Sequence, residues 1–306
     1  MKFSWNTLPR PLAEPLLKGS VGRFQLAELA DVALNLTKEV PAPQAAHLLD
    51  LASDMFSAAW ESDFLDADMA RQALTMHGMR PFLHKSFDKI AHLLCALVRL
   101  PEDTAELRAC LMTRNAEQTL QYVEHMRKAD PTNLFWTRQG IMVGMVEGQL
   151  DWLERWAHTT DPSLPRPFVE SLLGDIAYCR GEYKDACGRY MTALRALPFL
   201  AWREKLGEAL FHMGQIPEAL GQWEAVLARR PWHTNLVLRC DDVRRGRHEA
   251  GPLPHGKGAV LLYTWNKAEE LALTLTSLAA SQLGEARIIV LDNGSTDATP
   301  EVIRAW

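Results

Sequence analysis

The sequence predicts a mostly α-helical protein in which a repetitive helical solenoid is followed by a short α/β segment. From Phe24 to about Arg245, apolar residues recur every three or four positions, the spacing of one face of an α-helix. Glycines and prolines in the second half recur at a constant interval, which indicates repeated helical units. The last fifty residues instead contain two short apolar runs, the second rich in β-branched residues. We therefore expect a helical region over 1–130, repeats over 131–245, a linker over 246–258 and an α/β segment over 259–306.

Composition excludes several classes of protein. The 306 residues, 47% of them hydrophobic, suffice for about two domains with real cores. Lys and Arg number 33 against 38 Asp and Glu, so the net charge is −5 and no basic excess is available to hold nucleic acid. The five cysteines are odd in number and never form a CxxC pair, which argues against a disulfide framework or a zinc site and favours the cytoplasm. No secretory signal and no apolar run of about 20 residues is present, so we expect neither export nor a transmembrane segment.

The repeats have a step of 33 residues. This step separates Gly148, Gly181 and Gly214, and it also separates Pro165, Pro198 and Pro231. With these positions, the sequence resembles the tetratricopeptide repeat (TPR), whose unit is a helix, a tight turn, a second helix and a closing proline. Two units match well, over Leu173 to Pro198 and Leu206 to Pro231, and a third over Leu134 to Pro165 is degenerate because Ile141 replaces a glycine.

The TPR resemblance implies how the helices pack and what the solenoid does. Small residues let two helices approach closely, whereas Tyr190 and Trp223 fill the gaps between neighbouring repeats. The small positions are Gly174, Ala186, Gly207 and Ala219. Stacked repeats form a curved α-solenoid that binds a protein or peptide partner or acts as a spacer.

Residues 259–306 predict strand, helix, strand and the start of a second helix. Ala259–Tyr263 and Arg287–Leu291 are apolar and indicate two buried parallel strands joined by a right-handed crossover. The connecting helix begins near Asn266, and a second begins with Thr299 as N-cap and Pro300 at the first helical position. Because the carboxyl ends of parallel strands meet at one edge of a sheet, residues 263–266 and 292–297 should converge on one crevice.

The crevice residues have both structural and functional interpretations. A phosphorylated ligand is favoured at helix N-termini, but the glycine fingerprint of dinucleotide binding is missing after the first strand. Asp292 is placed to accept hydrogen bonds from a base or a ribose, although Asp-Asn-Gly-Ser is also ordinary turn chemistry. Thr264 and Asn266 could cap the following helix or contact a ligand, and Trp265 has the same two interpretations.

Two motifs carry a second resemblance. Leu262–Lys267 and Ile289–Asp297 resemble the two strand-end signatures at the start of a family 2 glycosyltransferase of the GT-A fold, with Tyr263 in place of the usual proline. The resemblance implies that six residues contribute to a nucleotide-sugar site for a UDP-sugar-like donor. They are Thr264, Trp265, Asn266, Asp292, Gly294 and Ser295, with Asp292 recognising the base and Gly294 and Ser295 shaping the turn. The acceptor would be a glycan, a lipid-linked molecule or a protein, and the solenoid would hold this acceptor or a partner.

The same resemblance implies a metal-binding motif and a catalytic base that we do not find in this sequence. In the family a later Asp-x-Asp element binds a divalent metal, Mg²⁺ or Mn²⁺, and a later acid deprotonates the acceptor hydroxyl. Neither follows Asp297 in this sequence. We therefore expect an incomplete glycosyltransferase domain with no catalytic residue and no metal ligand, inactive by itself. The alternative is a non-enzymatic TPR-like scaffold that binds a protein or peptide and carries a vestigial α/β tail.

Overall fold

A computed structural model describes residues 5, 8–19, 21–79, 85–113, 115–158, 164–247, 258–281 and 286–306. The chain forms two compact units, Met1–Arg245 and Gly246–Trp306, which we call the helical unit and the C-terminal unit. Most of the predicted linker over 246–258 lies outside the described residues. Within the part that is described, every helix is too short or too polar to cross a membrane.

The helical unit is a series of helices in chain order. The first seven are α1 (Arg10–Lys18), α2 (Arg23–Leu36), α3 (Ala42–Ser62), α4 (Ala67–Met79), α5 (Lys85–Leu97), α6 (Ala105–Met112) and α7 (Ala116–Ala129). The following seven are α8 (Leu134–Val146), α9 (Leu150–His158), α10 (Arg166–Cys179), α11 (Tyr183–Ala196), α12 (Leu200–His212), α13 (Ile216–Leu227) and α14 (Thr234–Arg244).

Helices α8 to α13 form three helix–turn–helix repeats, which confirms the predicted TPR-like region. The turn glycines Gly148, Gly181 and Gly214 have φ angles of +66°, +78° and +74°. L-residues with a side chain rarely adopt this conformation, whereas glycine adopts it without steric cost. The 33-residue interval in the sequence therefore corresponds to the same turn formed three times.

The small residues of the repeats allow close packing of the two helices within each repeat. A Cβ atom at Gly174 would lie 2.7 Å from the ring of Tyr190, and one at Gly207 would overlap the indole of Trp223. Each ring thus covers the glycine of its own repeat. Tyr190 also packs with Leu206 of the next repeat, so it fills the predicted gap between repeats as well.

The degenerate repeat contains an exchange of large and small residues. A step of 33 residues relates Ile141 to Gly174 and Ala157 to Tyr190, so the large side chain is on the first helix and the small one on the second. Close approach occurs instead at Gly144, where a Cβ atom would lie 2.7 Å from the side chain of Leu153. The repeat therefore retains the packing although its sequence departs from the pattern.

The first helices pack against the repeats and share one core with them. The Trp60 ring of α3 contacts Phe199 edge-on at 5.6 Å between centroids, and the Phe64 ring, just after α3, stacks on Phe168 at 3.9 Å. Helices α1 and α14 are also in contact. The region without a detectable repeat thus joins the same core as the repeats.

The C-terminal unit contains β1 (Ala259–Thr264), α15 (Ala268–Ala279), β2 (Arg287–Asp292) and α16 (Thr299–Ala305). The strands are parallel, with Ala259 opposite Arg287 and Thr264 opposite Asp292. With the helical repeats, this sheet confirms the predicted fold class. Burial alternates along both strands, so the prediction of strands buried on both faces is wrong. One face is open to solvent, and its side chains are 47–68% exposed: Leu261, Tyr263, Ile289 and Leu291.

Candidate site at the strand ends

The loops that follow β1 and β2 lie side by side. Thr264 and Asp292 are the last paired residues of the strands. Beyond them, the Asn293 N–H donates to the Thr264 carbonyl oxygen at 3.0 Å and extends the contact between the two segments. The predicted convergence of the two loops is therefore present in the structure.

Asp292 is held by a short series of hydrogen bonds. Its Oδ1 accepts from the Ser295 hydroxyl at 2.5 Å and from the Ser295 N–H at 3.1 Å. The Ser295 Oγ in turn accepts from the Asn266 N–H at 2.8 Å. The backbone of the first loop thereby fixes Ser295, and Ser295 fixes the carboxylate of the second loop.

Asn266 joins the two loops and does not cap a helix. Its φ angle is +50°, in the left-handed region that Asn tolerates better than most residues. Its Oδ1 accepts from the Thr296 N–H at 2.8 Å. The N-cap of α15 is Lys267, so the prediction that Asn266 caps this helix is wrong. Its contact with a ligand stays a prediction.

Asp297 and Thr299 complete the junction, although neither is among the six residues predicted for the site. Asp297 accepts from the Ala268 N–H at 3.2 Å and from the Thr299 N–H at 3.0 Å, so one carboxylate serves the first turns of both helices. The Thr299 hydroxyl also donates a hydrogen bond to Asp297, and this bond is the main reason why the pKa of Asp297 is below its usual value. Thr299 is fully buried, and its Oγ1 accepts from the Lys267 N–H at 3.1 Å.

The second helix begins one residue earlier than predicted, because the N-cap of α16 is Ala298 and Thr299 is already helical. An acid two residues before Thr299 is a common signature for capping by an Asx turn. That spacing could have identified Asp297 from the sequence. The contact between Asp297 and α15 could not have been found in this way, since it joins residues 29 positions apart.

The remaining predicted residues differ in exposure. Thr264 is 5% exposed, and its Oγ1 is buried without a hydrogen-bond partner among the described residues. Trp265 follows it with 58% of its surface exposed, so its ring is free for stacking. Gly294 has a φ angle of +75°, which explains why glycine is needed in this turn.

The acidic side chains do not fit a metal site. No group of three or more His, Cys, Asp or Glu side chains in the described ranges is arranged to hold a metal ion. Both oxygens of Asp297 accept from helix N–H groups, and Oδ1 of Asp292 accepts from Ser295. These carboxylate oxygens are therefore engaged in holding the loops together.

Comparison with known proteins concerns the two parts of the chain separately. The family described as glycosyl transferase family 2 matches residues 259–306. One solved structure, a thermophilic TPR protein of Thermus thermophilus, aligns with 71% of this chain and 99% of its own at 15% identity, with a TM-score of 0.38. No curated protein matches the chain. The chain thus consists of a TPR-like helical region followed by a C-terminal segment that matches glycosyl transferase family 2.

Proposed function

We propose that the C-terminal unit binds the nucleotide half of a nucleotide-sugar donor and belongs to a glycosyltransferase that transfers this sugar to a glycan, lipid-linked or protein acceptor. The family match over 259–306 supports the class of donor. The position of the loops supports the site, since ligands of open α/β sheets bind beyond the carboxyl ends of the strands.

The observation that carries this proposal is the way Asp292 is held. Its Oδ1 is engaged by Ser295, whereas its Oδ2 makes only a long contact of 3.4 Å with the Ser295 N–H. One oxygen of a fixed carboxylate thus remains available to accept from an N–H of a base or a ribose hydroxyl. Preorganisation of this kind reduces the ordering cost of binding.

The neighbouring residues have complementary roles in the proposal. Trp265 stacks on the base, because its ring is largely exposed beside the crevice. The Thr264 hydroxyl, which has no hydrogen-bond partner among the described residues, gains one from the ligand. Asn266, Gly294 and Ser295 position the loops, the first two through their left-handed backbone conformations.

The test is binding of uridine diphosphate to the full chain, measured by calorimetry. Asp292→Ala should weaken binding about tenfold to a hundredfold, because it removes a hydrogen-bond acceptor that is charged. Glu28→Gln, on the exposed side of α2 in the helical unit, removes one negative charge outside the C-terminal unit and should leave the affinity unchanged. Equal affinities of the wild type and Asp292→Ala, or no binding of any nucleoside diphosphate by the wild type, would contradict the proposal.

We also propose that the helical unit binds a peptide segment of a partner protein. A groove of about 480 Å³ lies between the end of α3 and the first helices of the repeats, with Met142, Val146 and Trp202 in its lining. Met142 and Val146 are 41% and 81% exposed, which leaves apolar surface for a partner. Val146→Asp should abolish capture of peptides from a displayed library, whereas Leu100→Asp, similarly exposed but outside the groove, should not.

The cysteines support a cytoplasmic location as part of the same proposal. Cys95, Cys110, Cys179, Cys187 and Cys240 are all free thiols. Disulfides are rare in the reducing cytoplasm, whereas exported proteins commonly form them.

A further inference from the structure

A second cavity, of about 310 Å³, lies inside the helical unit where the first turns of three helices meet. We call it the three-helix cavity. Arg23 of α2, Ala201 of α12 and Thr234 of α14 line it, each within the first two residues of its helix. The N-terminus of a helix carries a partial positive charge of about half an elementary charge, and its free N–H groups attract anions. The C-terminal ends of α1 and α3 line the same cavity at Gly19 and Ser62, so the partial charges of the helix ends oppose one another there.

Two hydrogen-bond donors in this cavity have no acceptor in the part of the chain that the structure describes. Arg230 and Trp232 both line it, and both are only 4% exposed. The Nε of Arg230 and the Nε1 of Trp232 are buried without a partner among the described residues. Buried N–H groups are nearly always satisfied in folded proteins, by protein, water or ligand. Two unsatisfied donors in one cavity therefore indicate an occupant that supplies acceptor atoms.

Two carboxylates, Glu61 next to the cavity and Glu204 in its lining, are already engaged by other groups. Glu61 accepts from the Arg230 Nη2 at 2.8 Å through one oxygen and from the Ala201 N–H at 3.0 Å through the other. Glu204 lies 3.3 Å from the Nε2 of His233. Arg23 pairs with Asp63 outside the cavity. These pairs orient Arg230 but provide its Nε–H with no acceptor from any residue that the structure describes.

We propose that the three-helix cavity binds a small oxyanion, a phosphate or carboxylate group, with Arg230 Nε and Trp232 Nε1 as its donors. An oxyanion supplies several acceptor lone pairs, enough for both donors at once. A cation or an apolar ligand would leave both N–H groups unsatisfied. The cavity lies entirely in the helical unit, so this site is independent of the nucleotide site proposed for the C-terminal unit.

The test is titration of the full chain with inorganic phosphate by calorimetry at constant ionic strength, with chloride as the replaced anion. Trp232→Phe keeps an aromatic ring in the cavity wall and removes one donor, so phosphate affinity should fall about tenfold. Arg230→Lys retains the positive charge beside Glu61 and removes the Nε donor, and it should have a similar effect. A parallel titration with acetate distinguishes a site for phosphate from one for carboxylate.

Trp223→Phe is the matched control. The Trp223 Nε1 is satisfied by the Glu204 carbonyl oxygen at 3.2 Å, and this residue does not line the cavity. Removal of the Trp223 indole N–H should leave phosphate affinity unchanged even if the protein becomes less stable. Circular dichroism establishes whether each variant is folded. If Trp232→Phe does not fold, the phosphate affinity of Arg230→Lys tests the proposal.

Three results would overturn the proposal. The wild type could bind neither phosphate nor acetate, or both cavity variants could bind phosphate as well as the wild type does. A crystal structure grown with saturating phosphate could also show water molecules alone on the Arg230 and Trp232 donors. In the last case the cavity is a site for structural water.

Discussion

The helical unit and the C-terminal unit differ in how they bury apolar side chains. Trp60, Trp136 and Trp223 of the helical unit are at most 1% exposed, whereas Tyr263 and Leu291 of the C-terminal sheet are 65% and 54% exposed. Each repeat helix presents one apolar face, which a neighbouring helix covers. A parallel sheet has two apolar faces, and helices must cover both to bury them. Equally apolar sequence runs therefore give a closed core in one unit and an open face in the other.

Truncation of one large apolar side chain in each unit tests this difference most strongly. Phe199 is fully buried among the rings of Trp60, Phe87, Phe168 and Trp202. Phe199→Ala should lower the free energy of unfolding of the helical unit by about 3–5 kcal/mol, because it leaves a cavity. Leu291→Ala should cost the C-terminal unit less than about 1 kcal/mol, because its side chain is already exposed. Native-state hydrogen exchange measures each unit separately.

Leu275 supplies the control within the C-terminal unit, since it is 2% exposed in α15. Leu275→Ala should cost about 2 kcal/mol or more. If Leu291→Ala proved as costly as Leu275→Ala, the open face would be covered in solution and the comparison between the two units would fail.

The fold was largely predictable because its signals are local. A turn glycine with positive φ at every 33 residues can be recognised from spacing alone. The degenerate repeat was harder to recognise. It has a large residue, Ile141, where the next repeat has Gly174, and a small residue, Ala157, where the next repeat has Tyr190. The packing of α3 against α12 was not predictable, since it joins segments about 140 residues apart through contacts such as that of Glu61 with Ala201.

The candidate site was predictable in position but not in its internal contacts. Two strand-end motifs placed Asp292 and Asn266 at the same edge of the sheet, and the structure brings them together. The sequence could not show that Ser295 lies between them or that Asp297 serves both helices. Local capping signals favoured Asn266 as the N-cap of α15, but its left-handed backbone directs its side chain to Thr296 instead. Tertiary hydrogen bonds here override a local preference.

The stability of each unit should depend on pH through one aspartate, Asp54 in the helical unit and Asp297 in the C-terminal unit. Burial raises the pKa of Asp54 from 3.8 to about 6, with Arg230 and Arg229 opposing this effect and Asp50 and Glu61 adding to it. Between these two values the folded state binds more protons than the unfolded state, so its stability falls as pH rises. Asp54→Asn should therefore be more stable than the wild type at pH 7, by about 1–2 kcal/mol, and the difference should vanish near pH 4.

Asp297 should respond in the opposite direction. Hydrogen bonds from Thr299 and Ala268 lower its pKa, so its contribution to stability is present above its unfolded pKa of about 4 and is lost as pH falls further. Denaturant unfolding at pH 4 and pH 7 measures the helical unit. For the C-terminal unit, protection of the Ala268 amide against exchange is compared at about pH 5 and about pH 2.5, and it should fall at the lower pH. Asp31→Asn, on the exposed side of α2, is the control and should give the same stability as the wild type at both pH values within about 0.5 kcal/mol. A gain for Asp54→Asn that persisted unchanged at pH 4 would show that the titration of Asp54 is not its cause.

The smallest expected effect separates two roles of Asn266 in the loops of the C-terminal unit. Asn266→Gly permits the φ angle of +50° but removes the bond from the Thr296 N–H, so local stability should fall by about 1 kcal/mol. Asn266→Ala loses the same bond and also strains the left-handed backbone, which should add about 1 kcal/mol more. Amide exchange of Thr296 measures both variants, with the amide of Leu206 in the helical unit as an internal reference that should not change. Equal exchange rates of the Thr296 amide in the two variants would mean that backbone strain at residue 266 does not affect local stability. An exchange rate equal to that of the wild type in both variants would mean that Asn266 does not hold the loops together.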